Sequence, residues 1–492
     1  MKRKNILMFV ADQMRSDSLA HLGNEASITP NLDEVVNDGV SFENAYCQNP
    51  VCVPSRCSFL TGLYPHTTGH RTMHFLQRED EPNILKTMKE NGYEVFWVGR
   101  NDVVPADRRK TNYCDEYYDG ISDKNSRDEI RPGADFKKYM GNLEISEKDS
   151  DNYYSFYSGK LKDGEGYGKV DWNCVNRALE IIERKSKGDD EKPFFIYCTL
   201  SFPHPPYACE EPWYSSIDRK KLPKRRENIN NLKNKASMLY AINSKQRLNE
   251  WSEERFDELR ATYLAMVSRF DYQFGMVVDK LKKTNQYDDT NIFVFSDHGD
   301  FTGDYSITEK AQNSFEDPIS KVPLLIKPAN NINVKPRISK ALVELLDIPV
   351  TIAEMAGVSL GYTQFGKSLI SSLEGEEIHK DAVFCEGGRI HGEVQAMEGG
   401  HGPESPYWPR LSTQCSEGPE HTKACMIRMG NFKLTIRLYE KDELYDLDND
   451  SMELNNIIDN KEYREVYLSM KERLLKYYME TTDFVPNKRD KR

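Results

Sequence analysis

Five short apolar runs carry almost no polar alternation: NILMFVA (5–11), EVFWVG (94–99), FFIYCTL (194–200), NIFVFSD (291–297) and VPLLIK (322–327). A strand that offers water neither face must be covered on both, the condition of a mostly parallel sheet between two helical layers. Helical patterns separate the runs. In DWNCVNRALEIIER, Trp172, Val175, Leu179 and Ile182 share one face, with Asp171 expected as N-cap. A longer helix is expected from Ser252, with Phe256, Leu259, Tyr263, Met266, Phe270, Phe274, Val277 and Leu281 along one stripe. The alternation predicts an α/β fold, a large mostly parallel sheet sandwiched by helices. After GKSLI (366–370) the pattern changes. AVFCEGG and FKLTIRL flank a Gly/Pro-rich loop (387–423), and a helical pattern ends the chain. We therefore expect an α/β domain over 1–375 and a smaller α+β domain over 376–492, with a small antiparallel sheet and a terminal helix.

Charge and composition narrow the possible partners. The formal net charge of −12 over 492 residues argues against nucleic-acid or anionic-membrane binding. No apolar run approaches the roughly 20 residues that cross a bilayer. MKRKNILMFVADQ begins like an export signal, but its apolar stretch is seven residues long and ends in Asp12; it reads as a first strand, and a cytoplasmic location is the expectation. Ten cysteines are too few for a disulfide scaffold. The polar, tyrosine-rich stretch 103–170 and the stretch 213–250 read as insertions over the sheet edge, and RKKLPKRR (219–226) as a solvated face.

The strand ends carry the chemistry. Asp12 follows the first run, Arg100 and Asp102 the second, His204 the third, Asp297 and His298 the fourth. Ligands of open α/β sheets bind beyond the carboxyl ends of the strands, so one edge collects all of these groups. ADQ and SDHGD together offer two carboxylates, an amide oxygen and an imidazole. One divalent cation suits that set: calcium first, for its oxygen preference, with manganese or magnesium left open by the imidazole. In NPVCVPSRCSFLTGLYPHTTGH (49–70), Cys52 stands at the start of an apparent helix. It reads as a core thiol, as a metal ligand with Cys47 and Cys57, or as a reacting group. The C-x4-C-x4-C spacing is not a usual zinc spacing.

C-x-P-S-R followed by LTGLYPHTTG resembles the signature of the type I, formylglycine-dependent sulfatases, within the alkaline-phosphatase-like superfamily. The resemblance continues in order through NILMFVADQMRSD, SFPHPPY, VFSDHGDFTGD with the lysine downstream, and DELYDLDND, spanning residues 5 to about 457. It implies an alkaline-phosphatase-like fold and hydrolysis of a sulfate ester. It also implies that a maturation enzyme oxidises Cys52 to formylglycine. One hydroxyl of the hydrated aldehyde attacks sulfur, and the other, on losing its proton, releases sulfate. By the same resemblance Asp12, Gln13, Asp297, His298 and modified Cys52 match the metal ligands. Arg56 matches the arginine steadying the formylglycine, His204 the histidine near the leaving oxygen, and Lys310 the lysine on the sulfate.

The sequence departs from the family where G-K-x-H is usual; here it reads GRND, placing Arg100 and Asp102. Arg100 is expected to bind sulfate, while Asp102 is either a base or a partner of Arg100. Gln13 with His298 resembles the subset containing choline sulfatases and phosphonate monoester hydrolases. Phosphonate monoester or phosphodiester hydrolysis is therefore the second reading, and a catalytically silent binding protein the third. The expected substrate is a small sulfated sugar, steroid or aryl compound. Specificity is expected from 103–170, 387–423 and HRTMH (70–74), with His70 and, less directly, His401 as substrate contacts.

Overall fold

The computed structural model describes residues 3–121, 152–162, 166–188 and 192–484. Much of the 103–170 segment thus lies outside the described residues. The main sheet contains β1 (Asn5–Ala11), β2 (Val40–Tyr46), β3 (Glu94–Gly99), β4 (Glu116–Tyr118), β5 (Phe194–Thr199), β6 (Thr290–Ser296), β7 (Leu324–Lys327) and β8 (Arg337–Glu344). Their order is β8-β2-β7-β6-β1-β5-β3-β4, with the short strand Lys321–Val322 beside β2. β1 runs parallel to both β5 and β6, opposing Ile6 to Phe195 and to Asn291.

The absence of alternation in β1 now has a cause. Ile6, Met8 and Val10 enter one core with Phe59 and Leu60, while Leu7, Phe9 and Ala11 enter a second with Ile181, Phe270 and Phe274. The first core lies under α1 (Cys52–Thr61). The second lies under α2 (Gly166–Lys187) and α3 (Glu253–Lys283). All eight residues of the expected α3 stripe are buried. A second, antiparallel sheet joins β9 (Val383–Gly387), β10 (Ala424–Met429), β11 (Phe432–Arg437) and β12 (Glu443–Asp446) in that order. Between β9 and β10 lies α4 (Trp408–Gln414). The last helix, α5 (Arg464–Thr481), covers the sheet with Met470, Leu474 and Tyr477. No described helix is long and apolar enough to cross a membrane.

Several expectations need correction. VPLLIK is the reversed strand: Pro323, which has no N–H, divides it, and β7 runs antiparallel to β2 and β6. β2 and β8 are strands that were not expected. β2 hides Ser41 and Asn44, satisfied by His21 and the Lys340 carbonyl, so its sequence VSFENAY reads as too polar for a buried strand. Asp171 is not an N-cap, because α2 begins at Gly166. Its carboxylate instead accepts the N–H groups of Ser201 and Phe202, at 2.8 and 3.0 Å, and holds the turn that leads to His204. Within 213–250, the helix Ser237–Gln246 packs Leu239 and Ile242 against Phe301, Tyr305 and Ile307. RKKLPKRR is solvated only in part: Arg226 is buried on Asp304, and Arg225 covers the Phe256 ring. Cys47 and Cys57 lie in the core, which leaves no zinc triad with Cys52.

Candidate active site

β1, β3, β5 and β6 all end at one edge, and α1 starts there. Cys52 is the first residue of α1, and extended Val51 precedes it without a side-chain cap. The first-turn amides have no intrahelical acceptor, so they and the helix dipole face an anion placed at residue 52. Arg56 lies one turn on, over the same edge. The Ser55 hydroxyl donates to the Asp297 carbonyl at 2.6 Å and ties α1 to the end of β6.

Asp12, Cys52, Asp297 and His298 converge there, all buried, with one donor atom of each within 4.8 Å of the others. Cys52 Sγ is 3.2 Å from His298 Nε2 and 3.7 Å from Asp12 Oδ1. His298 Nδ1–H donates to the Gly299 carbonyl at 2.9 Å, which leaves Nε2 with a lone pair toward the other three. Each carboxylate divides its work. Asp12 Oδ2 receives Arg56 at 3.1 Å and Arg100 at 2.8 Å, while its Oδ1 faces the cluster. Asp297 Oδ2 receives Arg56 Nε at 2.9 Å, while its Oδ1 takes the Gln13 and His298 N–H groups. Oxygen donors, one imidazole lone pair and a supporting layer of hydrogen bonds fit a divalent cation.

Electrostatics follow from burial and charge. Burial alone would raise the Asp12 carboxyl. Arg100, His204, Arg56 and Lys310 outweigh it and hold the group far below the usual carboxylate range. Burial, then Asp12, pushes the Cys52 thiol up. Burial lowers His298, against the pull of Asp297, and favours the neutral imidazole.

On the open side, Lys310 Nζ donates to Gln13 Oε1 at 2.7 Å and stands 3.1 Å from His204 Nε2. His204 Nδ1–H donates to the Pro205 carbonyl at 2.6 Å, so Nε2 accepts from the lysine. Burial, then Lys310, pushes His204 well below its usual value. Burial would lower Lys310, but Cys52, Glu309 and Asp12 keep it raised. Arg100 is 19% exposed at its side chain, the most open of these cations. It follows Gly99, where φ is +109° and a Cβ would lie 1.9 Å from the Thr199 carbonyl oxygen, so only glycine lets β3 close on β5 here.

Asp102 Oδ2 is 2.7 Å from Arg100 Nε and 3.9 Å from Arg56 Nε, the pairing anticipated as its second role. Gln13 is engaged by Lys310 and, through its amide nitrogen, by Asp300 at 2.5 Å. Its φ of +71° is uncommon for a residue with a side chain. His70 is not drawn into the cluster by its hydrogen bonds. Both ring nitrogens are taken, by the Phe75 carbonyl and by Glu81, at 2.8 Å each. His401 is exposed and bonded to Ser405.

Four contributors had no expected role. Asp300 accepts from Gln13, Tyr207 and Thr302 and so aligns the loop after β6 with the end of β1. Glu309 lies 3.2 Å from Lys310 and 3.1 Å from Arg410, a residue of α4. Gln246 brackets Thr308, accepting its N–H and donating to its carbonyl, just ahead of Lys310. Asp300 stood inside the quoted SDHGD; Arg410 and Gln246 left no local signal.

The family model described as Sulfatase matches residues 4–358. A Trinickia caryophylli protein named multifunctional alkaline phosphatase superfamily protein PehA is 29% identical over 419 residues, which are 76% of this chain and 77% of its own. An arylsulfatase of Clostridium perfringens is 25% identical over 493 residues, 94% of this chain and 92% of its own. In fold, the crystal structure of the phosphonate monoester hydrolase of Agrobacterium radiobacter matches with a TM-score of 0.72 at 21% identity, over 97% of this chain and 96% of that one.

Proposed function

This chain belongs to the sulfatase family and is a sulfuric ester hydrolase, and from that premise we propose that residue 52, as formylglycine, is its nucleophile. The observation that carries the reading is the convergence of Asp12, Cys52, Asp297 and His298 at the start of α1, with Arg100 and Lys310 beside it. A divalent cation, calcium first, would be held by Asp12, Asp297, His298 and residue 52. It would make a hydroxyl there more acidic and offset the charge of the sulfate. Gln13 would join this set through its amide oxygen, which also accepts from Lys310. The formylglycine diol supplies the attacking hydroxyl and a second one whose deprotonation frees sulfate.

The chain's own residues do the rest. Arg56 fixes both carboxylates so that they meet the substrate already in place. Arg100 and Lys310 bind the sulfate oxygens from the open side. His204 and Lys310 form the proton relay to the leaving oxygen: the lysine bears the proton, and the His204 lone pair points at it. Because α1 is buried along its whole length, the maturation enzyme must read C-x-P-S-R before the chain closes around it.

Phosphonate monoester hydrolysis uses the same cations, and parallel assays separate the two. Protein co-expressed with a maturation enzyme is expected to turn over an aryl sulfate faster than the matching aryl phosphonate. The reverse order would contradict the proposal.

A further inference from the structure

A cavity of about 430 Å³ lies between α5 and the ends of β9, β10 and β11, and none of the groups around Cys52 lines it. Its apolar walls include Ala424, Ile436, Leu438, Leu474, Leu475 and Tyr478. α5 buries Met470, Leu474 and Tyr477 on the sheet. Next to that face it leaves Leu475 62% exposed, and Leu438, just past β11, is 39% exposed. The outer side of such a helix is ordinarily polar. Here the apolar side chains line a hollow, and a concave apolar wall of this size with a few polar groups is the usual make-up of a small-ligand site.

The charged groups at the cavity say which ligand it takes. Glu386 is already engaged: it accepts the His66 N–H at 2.6 Å and stands 2.9 Å from His66 Nδ1. Arg71 is engaged as well, by Glu393 at 2.8 Å and by the Gly388 carbonyl at 2.9 Å. Two lysines are not. Among the described residues Lys423 makes no ion pair, and Lys471 reaches the uncharged Tyr467 hydroxyl at 3.1 Å but no carboxylate. An apolar hollow with two cations in reserve is the complement of an apolar body that ends in one acid group. The same charges disfavour other occupants. A second copy placed here across a two-fold axis would set lysines against lysines. The chain after Phe484 would bring Lys488, Arg489, Lys491 and Arg492 against a single Asp490.

We propose that this cavity is a binding site for an amphipathic monoanion, with its apolar body against Leu438, Leu475 and Tyr478 and its acid group on Lys423 and Lys471. The site is separate from the hydrolytic centre and does not depend on the sulfatase reading.

The test is fluorescence titration of the full chain with anilinonaphthalene sulfonate and with N-phenylnaphthylamine, the same apolar body without the acid group. One sulfonate probe is expected to bind per chain, about tenfold more tightly than the neutral probe, and decanoate should displace it. Lys423→Met and Lys471→Met should each weaken the sulfonate about threefold and leave the neutral probe unchanged. Together they should remove the preference, a change of ratio that damage to the fold would not produce. Leu475→Glu, at an exposed position, should weaken both probes about tenfold without lowering the melting temperature. Arg100→Met, altered in the hydrolytic centre, should bind the sulfonate as the wild type does. Equal affinity for the two probes, a preference that survives both lysine substitutions, or loss of binding in Arg100→Met overturns the site. So does a chain that binds neither probe, whether or not it self-associates through this face.

Discussion

Arg56 shows how single residues divide the work at this edge. It is wholly buried and gives one N–H to Asp12 and others to Asp297, so neither carboxylate can turn. Desolvating a guanidinium is costly, and the cost is met only because two carboxylates share it. Asp102 is a different case. Held between Arg100 and Arg56, it is placed to aim Arg100. Asp102→Asn should therefore cost less than about tenfold in kcat/KM, whereas Arg100→Met should cost about a hundredfold; a thousandfold loss in the first variant would make Asp102 the base. Residue 52 permits a sharper test. Cys52→Ser retains an attacking hydroxyl but lacks the second one, so rapid-mix kinetics should show a single burst of released alcohol and then no turnover. Steady turnover by the serine variant would exclude the diol route.

Among the elements, loops do the positioning while strands and α1 supply the frame. The stretch 302–313 carries Lys310 and includes Thr302, Tyr305, Ser306, Glu309 and Asn313 at positive φ, each costing on the order of 1–3 kcal/mol. The helix Ser237–Gln246 offsets part of this by holding Ser306 and Thr308 through Asn243 and Gln246. Gln246→Ala should lower kcat about tenfold by loosening Lys310, with only a few degrees lost in thermal unfolding; an unchanged kcat would remove this role. Asp171 performs the same task for His204. Burial raises its pKa to about 6 even though Arg269 and the Ser201 and Phe202 N–H groups pull it down. The folded state then binds a proton that the unfolded state has lost above about pH 4. Stability should fall as pH rises from about 4 to 6, by on the order of 2–3 kcal/mol from this group. Denaturant titrations across that range should show a flatter profile in Asp171→Asn, and an unchanged slope would assign the effect elsewhere. These roles also mark where the sequence stopped being legible. Strand ends announced Asp12, Arg100, His204 and Asp297 because an apolar run terminates just before each polar group. Gln246 and Arg410 act across long gaps in the chain from segments without periodicity, and only the folded contacts connect them to Lys310.

The described residues form a mostly parallel sheet between two cores, with the catalytic edge at the ends of β1, β3, β5 and β6 and a second, antiparallel sheet beside it. β9 joins the first core through Cys385, and α4 carries Arg410 to Glu309, the neighbour of Lys310, so the C-terminal part of the chain reaches the site. The acidic balance of −12 makes the local cations necessary, because an anionic ester otherwise meets repulsion from the protein as a whole. Two buried carboxylates share one small volume, so removing the cation should destabilise the folded state. Chelator treatment is expected to lower the melting temperature and abolish sulfate release together, with both restored best by calcium; full activity after complete chelation would contradict the metal assignment. The central claim, that an oxidised residue 52 performs the chemistry, is tested most directly by measuring sulfate release against the carbonyl content of the peptide containing residue 52. Preparations with graded co-expression of a maturation enzyme supply the series. The account predicts a rate that rises in proportion to the carbonyl fraction and passes through zero for wholly unmodified Cys52. Full activity with an intact thiol, or none with complete conversion, would contradict it.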